Sequence, residues 1–277
     1  MSEDLAGKVA FITGVARGQG RAHAVRLARE GCDVIGVDIC ADIPTMTYPN
    51  ASEDDLAETV RLVERENRRI VARTCDVRDF AALQGAFDEG YAEFGRLDII
   101  IANAGIIRIG DESDDILADW NDVIDVNLTG VFHTVRVALP ALRAGGRGGS
   151  IVITSSSAGL KGTPSLNTSG MAYTAAKRGL VGLMQNLAGA LAPEWIRVNT
   201  IHPTGVLSGM TQNAAMDKLM AQAAAGEHNL VSGMQNALPI EILQPEDVAD
   251  AVAYLVSEQA RFITGVQWPL DAGFSIR

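Results

Sequence analysis

The sequence predicts a doubly wound α/β fold built on a seven-stranded parallel sheet. Three observations carry this expectation. Short β-branched runs alternate with longer amphipathic stretches along the whole chain, the strand runs are apolar at nearly every position, and a glycine cluster sits where the first strand passes into the first helix. A strand that is apolar on both faces belongs in a sheet covered on both sides, the habit of parallel sheets with helical crossovers.

Residues 9–13 (VAFIT) form the first strand, ended by Gly14. Helical periodicity over 19–30 puts Ala24, Leu27 and Ala28 on one face and stops at Gly31. A strand over 33–38 follows, then a charged helix over 53–67, a strand over 70–75 and a helix over 80–94 closed by Gly95. The run 97–102 (LDIIIA) is the fourth strand. A helical region spans 115–142, with Pro140 expected to kink it near its end. The remaining elements are a strand over 150–154, a helix over 171–191, a strand over 197–201, a helix over 245–257 with proline at its start, and a strand over 265–270. No linker divides residues 1–277, which predicts one domain. Two segments break the rhythm. Residues 40–52 (CADIPTMTYPNAS) hold two prolines and no period, and 206–238 is rich in Ala, Met and Gln, with one or two short helices expected. Long insertions in a compact domain are commonly lids or mobile loops.

The chain is 47% hydrophobic and 21% charged, too apolar for disorder, and at 277 residues it can bury a core without staples. Its net charge of −11 weighs against nucleic acid or an anionic membrane as partner, since both need a basic face. Cys32, Cys40 and Cys75 form no CxxC pair and are expected to be ordinary buried thiols of a cytoplasmic protein. The N-terminus lacks the basic and apolar regions of a signal peptide, and no apolar run approaches a membrane span. His23, His133, His202 and His228 make no metal-ligand spacing, and His202 beside Pro203 reads as a turn residue. Asp111, Asp114 and Asp115 read as helix-start or solvated charges.

The motif TGVARGQG at 13–20 falls on the first strand–helix junction. Gly14, Gly18 and Gly20 allow a tight turn and close backbone approach to a pyrophosphate, and the helix offers free N–H groups there. A merely tight turn is the alternative. Asp38 ends the second strand 24 positions after Gly14, near the ~20-residue offset of an acid that binds ribose hydroxyls. Its charge opposes a 2′-phosphate and favours NAD over NADP. Arg17, inside the glycine loop, is the opposing feature, because a guanidinium there could meet such a phosphate. Tyr173 and Lys177 (YTAAK) share a helical face. A free tyrosine, with pKa ~10, is a poor base at neutral pH. A lysine ammonium and an oxidised nicotinamide beside it would stabilise the phenolate.

With NLTG at 127–130 and TSSSAG at 154–159, these motifs resemble the classical short-chain dehydrogenase/reductase family over essentially the whole chain. CDVRD around Asp76, Asn103-Ala104-Gly105 and Pro203-Thr204-Gly205 belong to the same pattern. The resemblance implies a single Rossmann domain. It implies Tyr173 as acid/base, Lys177 as binder of nicotinamide ribose and tuner of Tyr173, a serine bonded to the substrate oxygen, and Asn127 holding a proton-relay water. Cofactor contacts are implied at Gly14, Arg17, Gly18, Gln19, Gly20, Asp38, Ile39, Asp76, Val77, Asn103, Ala104, Gly105, Tyr173, Lys177, Pro203, Thr204, Gly205, Val206 and Ser208. Alignment on Ala158-Gly159 selects Ser156, with Ser155 and Ser157 adjacent. The 17 positions from Ser156 to Tyr173 exceed the usual spacing, the surplus falling in 164–170. Ser208 stands where many relatives carry threonine.

The 40–52 insertion, GLKG at 159–162 and HPTG at 202–205 resemble the carveol-dehydrogenase-like subgroup found beside mycofactocin systems in actinobacteria. That subgroup implies NAD held tightly and reoxidised in place through mycofactocin, with secondary alcohols, cyclic terpenoids among them, as substrates. The family also implies a homotetramer that pairs the 115–142 and 171–191 helices, for which Leu180, Leu183, Met184 and Leu187 offer apolar surface. Ile106, Ile107, Leu160, Met210 and the rest of 206–238 are expected to wall an apolar substrate pocket. Met210, Met216, Met220 and Met234 either line it or pack ordinarily. A 3-oxoacyl-carrier-protein reductase would prefer NADPH and a basic docking patch, against Asp38 and the acidic balance. A non-catalytic NAD-binding protein would be expected to lack part of the Ser/Tyr/Lys set, which is complete here.

Overall fold

In the computed structural model, which describes residues 5–162, 166–224 and 235–277, seven parallel strands form one sheet in the order β3-β2-β1-β4-β5-β6-β7. The strands are β1 (Val9–Thr13), β2 (Asp33–Asp38), β3 (Ile70–Thr74), β4 (Ile99–Ala102), β5 (Gly149–Thr154), β6 (Ile196–Pro203) and β7 (Gln267–Leu270). Successive side chains go to opposite faces, both covered at the centre of the sheet, so β1 and β4 are buried at every position, whereas the edge strands β3 and β7 are part-exposed. Phe11, Ile35, Ile100, Ile151 and Ile153 enter one core with Phe87, Val135, Leu180 and Met184. Ala10, Ile12, Val34, Ile99, Ile101 and Val152 enter the other with Leu27, Val252 and Leu255.

The helices are α1 (Gly18–Arg29), α2 (Glu53–Arg65), α3 (Phe80–Phe94), α4 (Ile116–Ile124), α5 (Gly130–Ala144), α6 (Thr168–Leu191), α7 (Ala214–Ala224) and α8 (Pro245–Val256). Local chemistry sets their ends. Ser52 and Asp55 form a capping box at α2, and Asp79 caps α3, which stops at Gly95 in the left-handed region. Asp115 caps α4 by accepting from Ala118 N, and Asn167 caps α6.

The expected 115–142 helix is interrupted, but not at Pro140, which lies inside α5. A π-turn over Asp125–Thr129 separates α4 from α5 and contains Asn127; such turns leave no periodicity signal in a sequence. The expected tetramer surface is also corrected in its residues. Leu180 and Met184 are fully buried in the chain's own core, and Leu183 and Leu187 pack against it. Exposed apolar side chains on these helices are instead Ile116, Leu117, Trp120, Phe132 and Met171. Cys32 and Cys75 are buried, whereas Cys40 is part-exposed at the exit from β2, with φ +47°. Among the described residues no helix is long and apolar enough to cross a membrane.

Candidate functional site

One cleft runs along the carboxyl ends of β1 to β5, where the loops after each strand converge. At its near end the chain leaves β1 through Gly14 (φ +70°), where a Cβ would stand 2.9 Å from Ala104 Cα. A Cβ on Gly20 would lie 1.8 Å from the Gly14 carbonyl oxygen. Only glycine permits this approach. No side chain caps the N-terminus of α1, and Gly18, Gln19 and Gly20 line the cleft there. A tight glycine turn that leads into a helix N-terminus without a side-chain cap fits a pyrophosphate. The Gln19 Oε1 atom is buried there without a partner.

Asp38 is buried at the end of β2. Its Oδ2 accepts from Ala16 N (2.9 Å) and its Oδ1 from Cys40 N (3.4 Å). Burial nevertheless raises its pKa above the ordinary carboxylate value, the backbone donors working against that rise. Arg17 has another employment than the phosphate contact weighed above. It donates to the Pro49 carbonyl at 2.7 Å and lies against Gly209, which ties it to the 40–52 insertion and the segment after β6.

The other walls come from strand ends. After β3, Asp76 accepts from Arg78 N at 2.9 Å and Val77 is buried against Gly130. After β4, Asn103 donates to Thr13 O (3.1 Å) and accepts from Thr154 Oγ1 (3.3 Å), which fixes it with Ala104 and Gly105 in the cleft wall. Ile39 also lines the cleft, and so do Ile43, Tyr48, Asn50 and Ala51 of the insertion. Ile43 and Tyr48 are 3% and 6% exposed, so the insertion buries its apolar side chains against the cleft.

Tyr173 and Lys177 stand on α6 at the far end. Lys177 Nζ lies 5.5 Å from the Tyr173 ring centroid and donates to Thr154 O at 2.9 Å. No carboxylate pairs with it among the described residues, and burial pushes its pKa down to about 7. Burial raises the pKa of Tyr173, while a hydrogen bond with the Ser156 side chain opposes the rise. The neighbouring serines differ in employment. Ser155 Oγ donates to Lys177 O at 2.8 Å and Ser157 is buried, whereas Ser156 Oγ accepts from Ala158 N at 3.1 Å. Geometry therefore sets Ser156 apart, although Thr154 and Ser155 form the cleft wall itself.

Asn127 is fully buried, and its side chain has no free group. Its Nδ2 donates to Ile106 O and Val123 O, both at 2.8 Å, and its Oδ1 accepts from Ile106 N at 3.2 Å. It fastens the π-turn to the start of the substrate wall. His202 lies on β6 rather than in a turn. Its Nδ1 lies 2.8 Å from Ser156 O and its Nε2 lies 2.9 Å from Thr200 Oγ1. The carbonyl can only accept, so Nδ1 carries the proton, and the ring holds the Ser156 backbone. His23 is a neutral core residue, its pKa pushed down to about 3 by burial.

Ser208, Met210 and Ile106 line the cleft, whereas Ile107, Ser156, Leu160 and residues 203–206 do not. Thr204 Oγ1 instead donates to Asn236 Oδ1 at 3.1 Å, and Val206 pairs with Leu243. Met234, His228 and the start of the 164–170 surplus lie outside the described residues. Cys75, Val126 and Thr154 line the cleft without having been singled out from sequence. Cys75 and Thr154 are the first residues of the CDVRD and TSSSAG motifs, but Val126 enters through the π-turn and carried no signal.

A family model described as enoyl-(acyl carrier protein) reductase matches residues 14–275. The chain belongs to this family of short-chain dehydrogenases/reductases and is an oxidoreductase. It is 55% identical to an uncharacterised oxidoreductase of Mycobacterium tuberculosis over 98% of this chain and 97% of that one. It is 46% identical to (-)-trans-carveol dehydrogenase of Rhodococcus erythropolis over 98% of each. Among solved structures, a short-chain dehydrogenase from Mycobacterium paratuberculosis bound to NAD superposes with a TM-score of 0.92 at 46% identity, covering 99% of this chain and 100% of that one. Carveol dehydrogenase from Mycobacterium avium in complex with NAD gives 0.90 at 45% identity, covering 99% of each.

The unpaired lysine yields a prediction about stability. With a folded pKa near 7 against 10.5 in its ordinary state, Lys177 is charged in both folded and unfolded chains below pH 7. There the cost of burying the charge is fully present, on the order of 5 kcal/mol. As pH rises from 7 towards 10.5 the folded state sheds its proton first and the cost fades. Lys177→Met is expected to raise the melting temperature of the ligand-free protein by several degrees at pH 6, and by less at pH 9.5, while turnover is lost. Calorimetry at the two pH values checks this; equal shifts would contradict it.

Proposed function

We propose that the protein is an NAD-dependent dehydrogenase that interconverts a hydrophobic secondary alcohol and its ketone, as a carveol dehydrogenase does. The observation that carries this reading is the pairing of Tyr173 and Lys177, with Ser156 hydrogen-bonded to Tyr173 behind the wall made by Thr154 and Ser155, at one end of a cleft whose other end is the glycine turn with Asp38. The named activity of the Rhodococcus relative and the NAD in two similar structures support it. Gly14, Gly18, Gln19 and Gly20 would hold the pyrophosphate, Asp38 the adenosine ribose, Asp76 and Val77 the adenine, and Lys177 and Ser208 the nicotinamide half. NAD supplies the hydride acceptor when bound.

The chain's own part is proton handling and orientation. Ser156 donates a hydrogen bond to the substrate oxygen, and Tyr173 as phenolate takes the hydroxyl proton. Phenolate and ammonium stabilise each other in a site that disfavours either charge alone, so Lys177 is charged when Tyr173 ionises. The side chain of Asn127 is fully bonded within the protein, so a relay water at Asn127 would have to be held by a main-chain group. Ile106 and Met210 give the substrate wall its apolar character, and such a wall selects a hydrophobic alcohol over a sugar. The same reading makes the protein cytoplasmic, with mycofactocin as the redox carrier that reoxidises the bound cofactor.

Tyr173→Phe is expected to lower turnover about a thousandfold while NAD affinity stays within about twofold, since the hydroxyl contributes only a small part of cofactor binding. Assays with secondary alcohols and calorimetric titration of NAD check both halves, and turnover within tenfold of wild type would exclude Tyr173 as the base. Asp38→Ala is expected to raise the Kd for NAD about tenfold or more and to narrow its preference over NADP. Wild-type use of NADP as readily as NAD would overturn the cofactor assignment. Exposed Leu117, Trp120, Phe132 and Met171 support a homotetramer joined through α4, α5 and α6. A monomer in sedimentation at micromolar concentration would contradict it.

The insertion is read as a lid over the adenosine and pyrophosphate side of the cleft, because Ile43, Tyr48, Asn50 and Ala51 line it and Arg17 in the glycine loop is bonded to Pro49. Replacing 41–51 by a short Gly/Ser linker is expected to speed NAD release about tenfold or more with the fold retained. Stopped-flow release at the wild-type rate would end this reading.

A further inference from the structure

Among the polar contacts that hold the insertion down, two bonds to charged side chains fall on one residue, Thr45. Thr45 Oγ1 donates to Asp122 Oδ2 on α4 at 2.6 Å, and the Thr45 carbonyl accepts from Arg108 Nη1 at 2.9 Å. Each of these partners is itself fixed by charge. The other oxygen of Asp122 accepts from Arg78 Nη1 at 2.5 Å, and Arg78 Nε donates to Asp76 Oδ2 at 2.8 Å on the cleft wall. Arg108 Nε stands 3.6 Å from Asp119 Oδ2, a carboxylate that is fully buried and has no hydrogen bond of its own. Two positions further on, Thr47 Oγ1 donates to Ile109 O at 2.8 Å and Ile109 N lies 3.2 Å from Thr47 Oγ1, followed by Tyr48 OH 3.4 Å from Ile107 N.

We propose that Thr45, gripped between Asp122 and Arg108, is the latch of the insertion, with Asp122 as its positioning residue. The proposal rests on the reading of 40–52 as a cofactor lid and adds what keeps that lid closed. Three features make Thr45 the latch rather than one contact among many. Its hydroxyl meets an ionised acceptor, and such bonds are about twice as strong as neutral ones. Asp122 is only 22% exposed on its side chain and is oriented by a guanidinium, so it is held in place before Thr45 arrives. The chain Asp76–Arg78–Asp122–Thr45 also joins the adenine wall to the lid, and Thr47 and Tyr48 join the lid to residues 107–109, which follow the substrate wall at Ile106. Lid opening therefore requires letting go of both walls.

The test separates the latch from a general stabilising role of Asp122 through Arg78. Thr45→Val removes the hydroxyl, keeps the shape and leaves the Arg78–Asp122 pair intact. Thr45→Ser keeps the hydroxyl. In the ligand-free full chain, hydrogen exchange of the 41–51 amides is expected to quicken about tenfold or more in Thr45→Val and in Asp122→Asn, and to stay within about twofold of wild type in Thr45→Ser. Release of bound NAD should follow the same order. Thr45→Val with wild-type exchange and release, beside a linker variant that releases NAD faster, would overturn the latch and leave the lid. A linker variant that releases NAD at the wild-type rate would overturn the lid itself, and the latch with it.

Discussion

The strand order governs where chemistry is possible in this molecule. β1 lies between β2 and β4, so the chain leaves it in one direction for β2 and β3 and must return across it to begin β4. The loops after β1 and β4 therefore part above the sheet and open a crevice at its carboxyl edge. Each wall of the cleft hangs from a strand end placed by this switch: Gly14 after β1, Asp38 on β2, Asp76 after β3, Asn103 after β4 and Ser155 after β5. Asn103 shows how the crevice is held to width. Its side chain reaches back to Thr13 and accepts from Thr154, so one amide spans β1, β4 and β5.

Polar groups in this crevice are held in states that folding alone does not favour. Among the described residues, Lys177 is buried with one carbonyl partner, Asp38 is buried with backbone donors, and Gln19 Oε1 has no partner. In a core, such groups would be net costs. Here they sit at opposite ends of one cleft, a basic group beside Tyr173 and an acidic group beside the glycine turn. That polarity suits a cofactor that brings ribose hydroxyls to Asp38. The same desolvation that depresses the Lys177 pKa makes its charge effective when a phenolate forms beside it, because little water screens the pair.

Most of this was legible in the sequence, for stated reasons. Continuous apolar strands and glycine at the first junction follow from backbone sterics and two-sided burial, and both leave marks in residue type. Asp38 and the Tyr173/Lys177 spacing are local patterns of the same kind. What was not legible depends on non-local geometry. The π-turn at Asp125–Thr129 has the composition of any helix and is visible only through the bonds Asn127 makes with Ile106. Leu180 and Met184 read as spare apolar surface because periodicity cannot say whether a second buried face belongs to the same chain. Arg17 was ambiguous for a similar reason: its partner, the Pro49 carbonyl, is a main-chain atom and carries no residue signature.

The insertion shows the same division between what residue type reveals and what it hides. Its prolines and apolar side chains identify it as a segment with something to bury, and Ile43 and Tyr48 are buried against the cleft. Its fastening is made by Thr45 and Thr47, which in sequence are indistinguishable from solvated loop threonines. They acquire meaning because α4 presents Asp122 and the loop after β4 presents Arg108 at the same place. Both partners come from the half of the chain beyond the crossover, whereas the insertion belongs to the half before it. The topology that opens the crevice thus also supplies, from its opposite side, the groups that hold the cover down, and the two walls of the cleft are joined through the segment that covers it.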